Sequence, residues 1–410
     1  MRILFISMVP FEDNSSATIQ NKGIVEGLYK CENEVDIMTL MPMNNSLGYD
    51  DSMDNVKSFV NNVYYIEVDR KYAVLRTKKE KLNNEELHIK NTEYRTNIIN
   101  RIYSKIRVII KNLYKNIAIF DAQKVNVKGV SKLNIDYSKY DIIISASDPK
   151  SSHLIAERIY KKNKNCNARW IQYWGDPMLN DITRESNWRD RLVKYNENKL
   201  INEANKVVYA SPLTLKIQKE TYPRHTCKMD YTSQAYTNIN SMYRSKEKNS
   251  NILVGYFGAY NSKIRNIKPL YNVAKEEGFM LNICGASDIT LKCTKNIYVT
   301  GMISYRKAVE MEEKTDILVC ICNRRGTQIP GKVYYCASYK KPIVVILDGE
   351  YEEELGDYLN SFKRFILCKN QEQSIRDAIE RAKKQLDKGE YYISEQLTPE
   401  YVARKILKNI

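Results

Sequence analysis

QIPGKVYYCASYKKPIVVI, residues 328–346, carries the reading of the fold. It opens as a loop, turns at Pro330-Gly331, enters a short helix at Lys332 and ends in an apolar run predicted to be a buried strand. The run before it, DILVCIC (316–322), is apolar throughout, as expected when both faces of a parallel sheet are covered. Ligands of such sheets sit at the carboxyl ends of the strands. Lys332 falls at that end and at a helix start, where backbone N–H groups favour an anion such as a nucleotide diphosphate. A cation there opposes the helix dipole, so the position asks for a negative partner.

The same alternation runs through the rest of the chain. In the first half the predicted strands are 2–8, EVDIMTL (34–40), VYYIEV (63–68), DIIISAS (141–147), ARWIQYW (168–174) and KVVYAS (206–211). Helical spacing lies between them at 18–30, 151–160 and 189–204. Residues 237–250, TNINSMYRSKEKNS, are polar and without period, and read as a linker. The pattern then restarts with NILVGYFG (251–258), a helix near 267–277, FMLNICG (279–285), IYVTG (297–301), a helix at 305–314, and the stretch quoted above. A long helix near 372–386 and a terminal one near 399–410 follow. Strands alternating with helices of this length mean βαβ units and parallel sheets. The expected fold class is α/β, with two Rossmann-like domains facing each other across a cleft. The expected domains are 1–236, with a basic helical insertion near 70–135, and 251–386, with 387–410 packing back on the first.

With 410 residues, 43% hydrophobic and 28% charged, the chain is long enough for two cores and ordinary in composition. Its formal charge is +16, and residues 70–115 hold 13 Lys+Arg against 4 Asp+Glu, a net of +9. Within that segment, 98–117 has an apolar stripe at helical spacing and cations elsewhere, the pattern of a helix lying on an anionic membrane surface. The ordinary reading of such a pattern is a core-packing helix with a solvated face. No nucleic-acid recognition motif accompanies the charge, so no nucleic-acid partner is expected. The nine cysteines form no disulfide framework, which fits a reducing compartment. No apolar run approaches the ~18 residues of a membrane span, and the apolar start, cut by Pro10, reads as a strand. The expected location is cytoplasmic, peripheral to the inner face of the membrane.

Several residues fall at predicted strand ends. Gly258 and Gly285 end strands, where glycine admits a ligand or simply turns the chain. Arg265 precedes a helix and has the fork that grips a diphosphate. Tyr305 opens a helix where a nucleobase stacks. Asp176, in QYWGDP, is a candidate general base, or an aspartate that starts a turn before Pro177. Asp148 and His153, in SASDPKSSH, and Asn14, Ser15 and Ser16, in the loop after the first strand, are candidate substrate contacts. No D-x-D pair and no His-Cys cluster is present, so neither a metal nor another cofactor is expected.

Three stretches, GYFGAYNSKIRNIKPL (255–270), GMISYRKAVEMEEKTDILVCI (301–321) and IPGKVYYCASYKKPIVV (329–345), resemble motifs of bacterial GT-B glycosyltransferases, and are similar to glycosyltransferase family 4. QYWGDPMLND (172–181) resembles the acceptor-side motif more weakly. The resemblance implies a metal-independent, retaining enzyme of cell-surface polysaccharide biosynthesis. Its partners would be a nucleotide-diphosphate sugar donor and a saccharide or lipid-linked acceptor. Pro330, Gly331, Lys332 and Tyr335 would line the donor site. Two positions depart from the family: Tyr335 stands where a ribose-binding glutamate is usual, and Thr327 near the first of a glutamate pair. Those departures keep open a non-catalytic nucleotide-sugar or saccharide binder, and a GT-B-like nucleotide-sugar epimerase is the rival within enzymes.

Overall fold

The computed structural model describes residues 1–44, 46, 48–70, 72–74, 76, 119–163, 166–236, 251–277 and 279–410. The linker expected at 237–250 and the membrane-facing helix expected at 98–117 lie outside the described residues.

The first half holds β1 (Arg2–Ser7), α1 (Ser16–Lys30), β2 (Glu34–Leu40), β3 (Asn62–Ile66), β4 (Ile142–Ser147), α2 (Ser151–Lys162) and β5 (Arg169–Trp174). It continues through α3 (Asp190–Glu203), β6 (Lys206–Tyr209), α4 (Pro212–Thr221) and β7 (Met229–Tyr231). These strands form one sheet in the order β3-β2-β1-β4-β5-β6-β7, and every neighbouring pair is parallel. The alternation of strand residues decides its two faces. Ile3 and Phe5 pack with α1 on one side, while Leu4 and Ile6 pack with α2 on the other.

The second half holds β8 (Leu253–Phe257), α5 (Lys268–Glu277), β9 (Met280–Cys284), β10 (Ile297–Thr300), α6 (Tyr305–Lys314) and β11 (Ile317–Ile321). Then come α7 (Gly331–Tyr335), β12 (Ile343–Leu347), α8 (Glu352–Asn360), β13 (Ile366–Lys369), α9 (Glu372–Lys388) and α10 (Pro399–Leu407). The second sheet is also all parallel, in the order β10-β9-β8-β11-β12-β13. The expected α/β class with two parallel sheets is therefore present. The sequence pattern did not anticipate α4, β7, α8 or β13. β7 has three residues and β13 four, too few to display a period, and sheet pairing defines them instead.

The chain ends on its first domain. Val402, Ala403 and Ile406 of α10 join Ile24, Val25 and Leu28 of α1 in one core. Thr398 caps α10 by accepting from the Tyr401 N–H, and Pro399 follows at the first turn, where its missing N–H costs nothing. Lys206 reaches the last carbonyls, those of Lys405 and Lys408. The approach is close because residue 27 has no side chain: a Cβ there would lie 1.9 Å from the Pro399 carbonyl oxygen.

One expected site residue belongs to this framework instead. His153 is 0% exposed. Its ring packs 4.2 Å from that of Trp174, and Nδ1 shares a 2.8 Å hydrogen bond with Ser145 Oγ. His153 is a core side chain, because α2 turns it inward against the sheet, and its Nε2 is buried without a hydrogen-bond partner among the described residues. Burial, aided by the Lys150 charge, pushes its pKa down to about 3.

Two outcomes follow from these contacts. Gly27→Ala forces α10 away from α1 and should lower stability by about 1–3 kcal/mol, the usual cost of overpacking. An unchanged urea midpoint would mean that α10 does not dock as described. For His153, the folded pKa of about 3 lies below the ordinary 6.5, so the unfolded chain binds the proton first as pH falls. Its contribution is complete above pH 6.5 and is lost toward pH 3. His153→Gln should flatten the fall of Tm through that window, and a parallel pair of pH profiles would refute the assignment.

Candidate active site

In each sheet the strand order reverses once, between β1 and β4 in the first and between β8 and β11 in the second. Crevices open at such points on the carboxyl edge. The segments leaving β1, β4 and β5, and those leaving β8 and β11, carry most of the residues expected to bind substrate.

At the second edge, Lys332 lies in the first turn of α7 after Pro330 and Gly331. The anion its position asks for is already in the protein. Lys332 Nζ is 2.6 Å from Glu312 Oε1, and Tyr339 donates to the other carboxylate oxygen at 2.9 Å. Burial works against the ammonium most strongly, yet the Glu312 charge, its hydrogen bond and the neighbouring thiols together outweigh it and hold the Lys332 pKa above its ordinary value. Lys332 is therefore charged at neutral pH. Arg265 bridges two strand ends: Nε donates to Asn323 Oδ1 at 2.8 Å, and Nη1 to the Ala259 carbonyl at 3.1 Å. Lys332 and Arg265 bear electrostatically on Cys320 and Cys322, two positions apart on one face at the end of β11.

At the first edge, carboxylate oxygens of Asp148, Asp176 and Asp181 lie within 4.8 Å of one another, a grouping that could hold a metal ion. Lys150 brings its own positive charge there. Its Nζ is 2.6 Å from Asp148 Oδ1 and 2.6 Å from Asp181 Oδ2. Burial opposes that ammonium, and the three aspartates more than offset it, so Lys150 stays charged. Asp176 is different. Burial pushes its pKa well above the carboxylate range, the Asp148 charge pushes the same way, and Lys150 opposes them. A carboxyl so raised holds its proton above the ordinary carboxylate range and is a candidate for proton transfer.

Hydrogen bonds between the domains bring the edges together. Ser15 caps α1 by accepting from the Thr18 N–H. Next to it, the Ser16 carbonyl accepts from the Tyr335 hydroxyl at 2.7 Å, and the two side-chain hydroxyls lie 3.2 Å apart. Thr327 Oγ1 meets Thr214 Oγ1 at 2.9 Å, and its carbonyl accepts from Ser211 Oγ at 3.1 Å. Tyr335 and Thr327 thus both bond the first domain. The Tyr305 N–H donates to Asp50 Oδ2 at 2.9 Å. Asn14 is held one residue before the cap, its N–H donating to the Gly48 carbonyl at 2.7 Å.

Burial raises the Tyr335 pKa, against the hydrogen bond to Ser16 and the Lys332 charge, which lower it. One small region therefore gathers groups from both domains. The glycines are less telling. A Cβ at Gly285 would lie 2.0 Å from the Gly258 carbonyl oxygen, so its reason is the close approach of two strand ends. Sequence reasoning missed Glu312, Lys150 and Asp181. Nothing local reveals that Lys150 reaches Asp181, 31 residues on, or that Glu312 meets Lys332 across 20.

No family model matches the chain, and no curated protein matches its sequence. Solved structures match it over nearly its full length. The glycosyltransferase of kitacinnamycin is 10% identical over 99% of this chain and 98% of its own, with a TM-score of 0.51. A point mutant of S. aureus TarM, solved with Fondaparinux, α-GlcNAc-glycerol and UDP, is 12% identical over 99% of this chain and 95% of its own, also at 0.51. An α-glucosyltransferase solved with UDP and a 13-mer DNA is 10% identical over 100% and 95%, at 0.50. At such identities the likeness is one of fold, and that fold is the GT-B architecture of two parallel-sheet α/β domains.

Proposed function

We propose that the protein is a glycosyltransferase similar to family 4. In this reading the second domain holds a nucleotide-diphosphate sugar, and the first presents a saccharide or lipid-linked acceptor of cell-surface polysaccharide biosynthesis. The observation that supports it is the hydrogen bonding of Tyr335 to Ser16 and of Thr327 to Thr214, which brings the segment bearing Lys332 against the first domain. A cation suited to a diphosphate and a carboxyl suited to a hydroxyl come from opposite domains to one region. The bond from the anomeric carbon to the diphosphate oxygen breaks, and the departing charge falls to Lys332, with Arg265 beside it. The acceptor oxygen bonds to that carbon, and Asp176 takes its proton. Asp148, Lys150 and Asp181 hold Asp176 in place. Tyr305 packs beside the donor, and Gly258 leaves room for it. Retention of configuration is supported only by the resemblance of residues 328–346 to the family.

A second reading, a non-catalytic sugar-nucleotide binder, draws on Tyr335 and Thr327, whose hydroxyls are engaged across the domains rather than open to a ribose. Slow hydrolysis of a bound donor would exclude it.

A thermal-shift panel of UDP, GDP, ADP and CMP with their sugars tests donor binding, since a ligand of the native state raises Tm by mass action. Removing Lys332 alone would strand the buried Glu312 charge, so the informative variant is Lys332→Met with Glu312→Gln. A charge-assisted contact is worth roughly 1.5–3 kcal/mol, so diphosphate affinity should fall by about one to two powers of ten. The nucleoside should bind both proteins equally. Glu312→Gln alone frees Lys332 and should tighten the diphosphate. Diphosphate binding that neither variant alters would defeat the donor assignment.

The pH profile addresses Asp176. Its pKa is raised, so the basic form appears only as pH climbs past the ordinary carboxylate range. Transfer should rise with pH through a limb in that region, and Asp176→Asn should lose both the limb and most of the rate. A flat profile in an active enzyme would remove Asp176 as the base.

A further inference from the structure

Beyond the donor site lies a groove that the reaction as described does not use. A cavity of about 530 Å³ opens between the domains, lined by Asp181 and Arg184 on one side and Arg325 and Glu350 on the other. A second, of about 540 Å³, lies farther out between α3 and the turn at Arg224 and His225. Arg191 and Lys194 of α3 line both cavities, so the two meet at these side chains. The inner end is Asp181, whose carboxylate is one of the three grouped around Asp176.

The charges along this path are unevenly matched. Of its acidic groups, Asp181 and Asp190 are paired with Lys150 and Arg184, while Glu350 accepts from the Gly326 N–H. Arg191, Lys194 and Arg224 have no carboxylate partner among the described residues, and all three are exposed. Two large aromatic side chains are exposed nearby: Tyr195 lines the outer cavity, and Trp188 adjoins the inner one in sequence without lining it. Trp188 is 80% exposed and Tyr195 65%. Trp188 lies between Ser186 and Asp190, which both line the inner cavity, and the Arg189 guanidinium sits 4.6 Å from its ring centre. Exposing that much indole to water is unfavourable without a partner to cover it.

Spaced cations with open aromatic faces suit a ligand that is anionic and presents flat C–H surfaces. We infer that this groove binds the acceptor, and that the acceptor is a saccharide chain carrying spaced anionic groups, phosphate or uronate. The inference rests on the glycosyltransferase reading and names its acceptor class. A nucleic acid, with a charge on every unit, fits less well, because Glu350 and Asp181 lie along the same path.

The tryptophans supply the readout. Trp170 is 1% exposed and Trp174 0%, so the emission that acrylamide quenches in the folded chain comes from Trp188. The full-length protein is titrated with oligogalacturonate, phosphorylated maltohexaose and unmodified maltohexaose. One or both charged oligomers should shield Trp188 and bind at least tenfold tighter than the neutral one, with an affinity that falls as salt rises. Whether one charged probe or both bind separates uronate from phosphate. Arg191→Ser with Lys194→Ser should weaken that binding about tenfold or more, while the control Lys384→Ser with Lys388→Ser on α9 should not. Equal binding of neutral and charged oligomers, an unaffected double variant, or tighter binding of single-stranded DNA would overturn the inference. Stabilisation by UDP or GDP is measured on the same samples. Its absence would count against the donor reading alone, and its survival beside failed saccharide binding would count against the groove alone.

Discussion

Helix α1 is held at both ends by the second half of the chain. At its C-terminal end the Gly27 backbone lies against Pro399, and the Cys31 thiol donates to the Glu400 carbonyl. At its N-terminal end the Ser16 carbonyl accepts from Tyr335. A helix is stiff, so these contacts fix one relation between the domains. The loop after β1 sits immediately before α1, and Lys332 lies one turn from Tyr335. The proximity of Asp176 to the Lys332 region depends on that arrangement.

The ionisable groups at both edges are satisfied from within the protein. Lys332 has Glu312, and Lys150 has Asp148 and Asp181. Pairs of this kind gain little net stability, because desolvation offsets most of the attraction. Their value lies in keeping charges ready in a half-buried place. Any anion that took Lys332 as its partner would first have to displace Glu312, and its affinity would include that cost. The same logic explains Asp176, the member of its cluster that burial and a neighbouring charge drive toward the neutral form.

Thr327 and Tyr335 join the two domains through their hydroxyls. Tyr335 bonds Ser16 beside the cap of α1, and Thr327 bonds Thr214 in the first turn of α4.

Much of the architecture was legible in the chain itself. Apolar runs such as DILVCIC and PIVVIL declared buried parallel strands, since only a doubly covered sheet leaves no polar alternation. The Pro330-Gly331-Lys332 turn declared a helix start at a strand end. Short elements such as β7 and β13 were silent, because three or four residues cannot express a period and exist by pairing with a neighbour. Pattern alone could not tell a buried histidine from a ligand-facing one. His153 was decided by the direction in which α2 lays its side chain. The partners of the charged groups were likewise decided only in three dimensions. Sequence states which residues carry charge, and local spacing places them on helices and strand ends. Which charge meets which depends on separations of 20 to 319 residues closed by folding, as between Lys332 and Glu312 or Tyr335 and Ser16, and no local rule encodes contacts at that range.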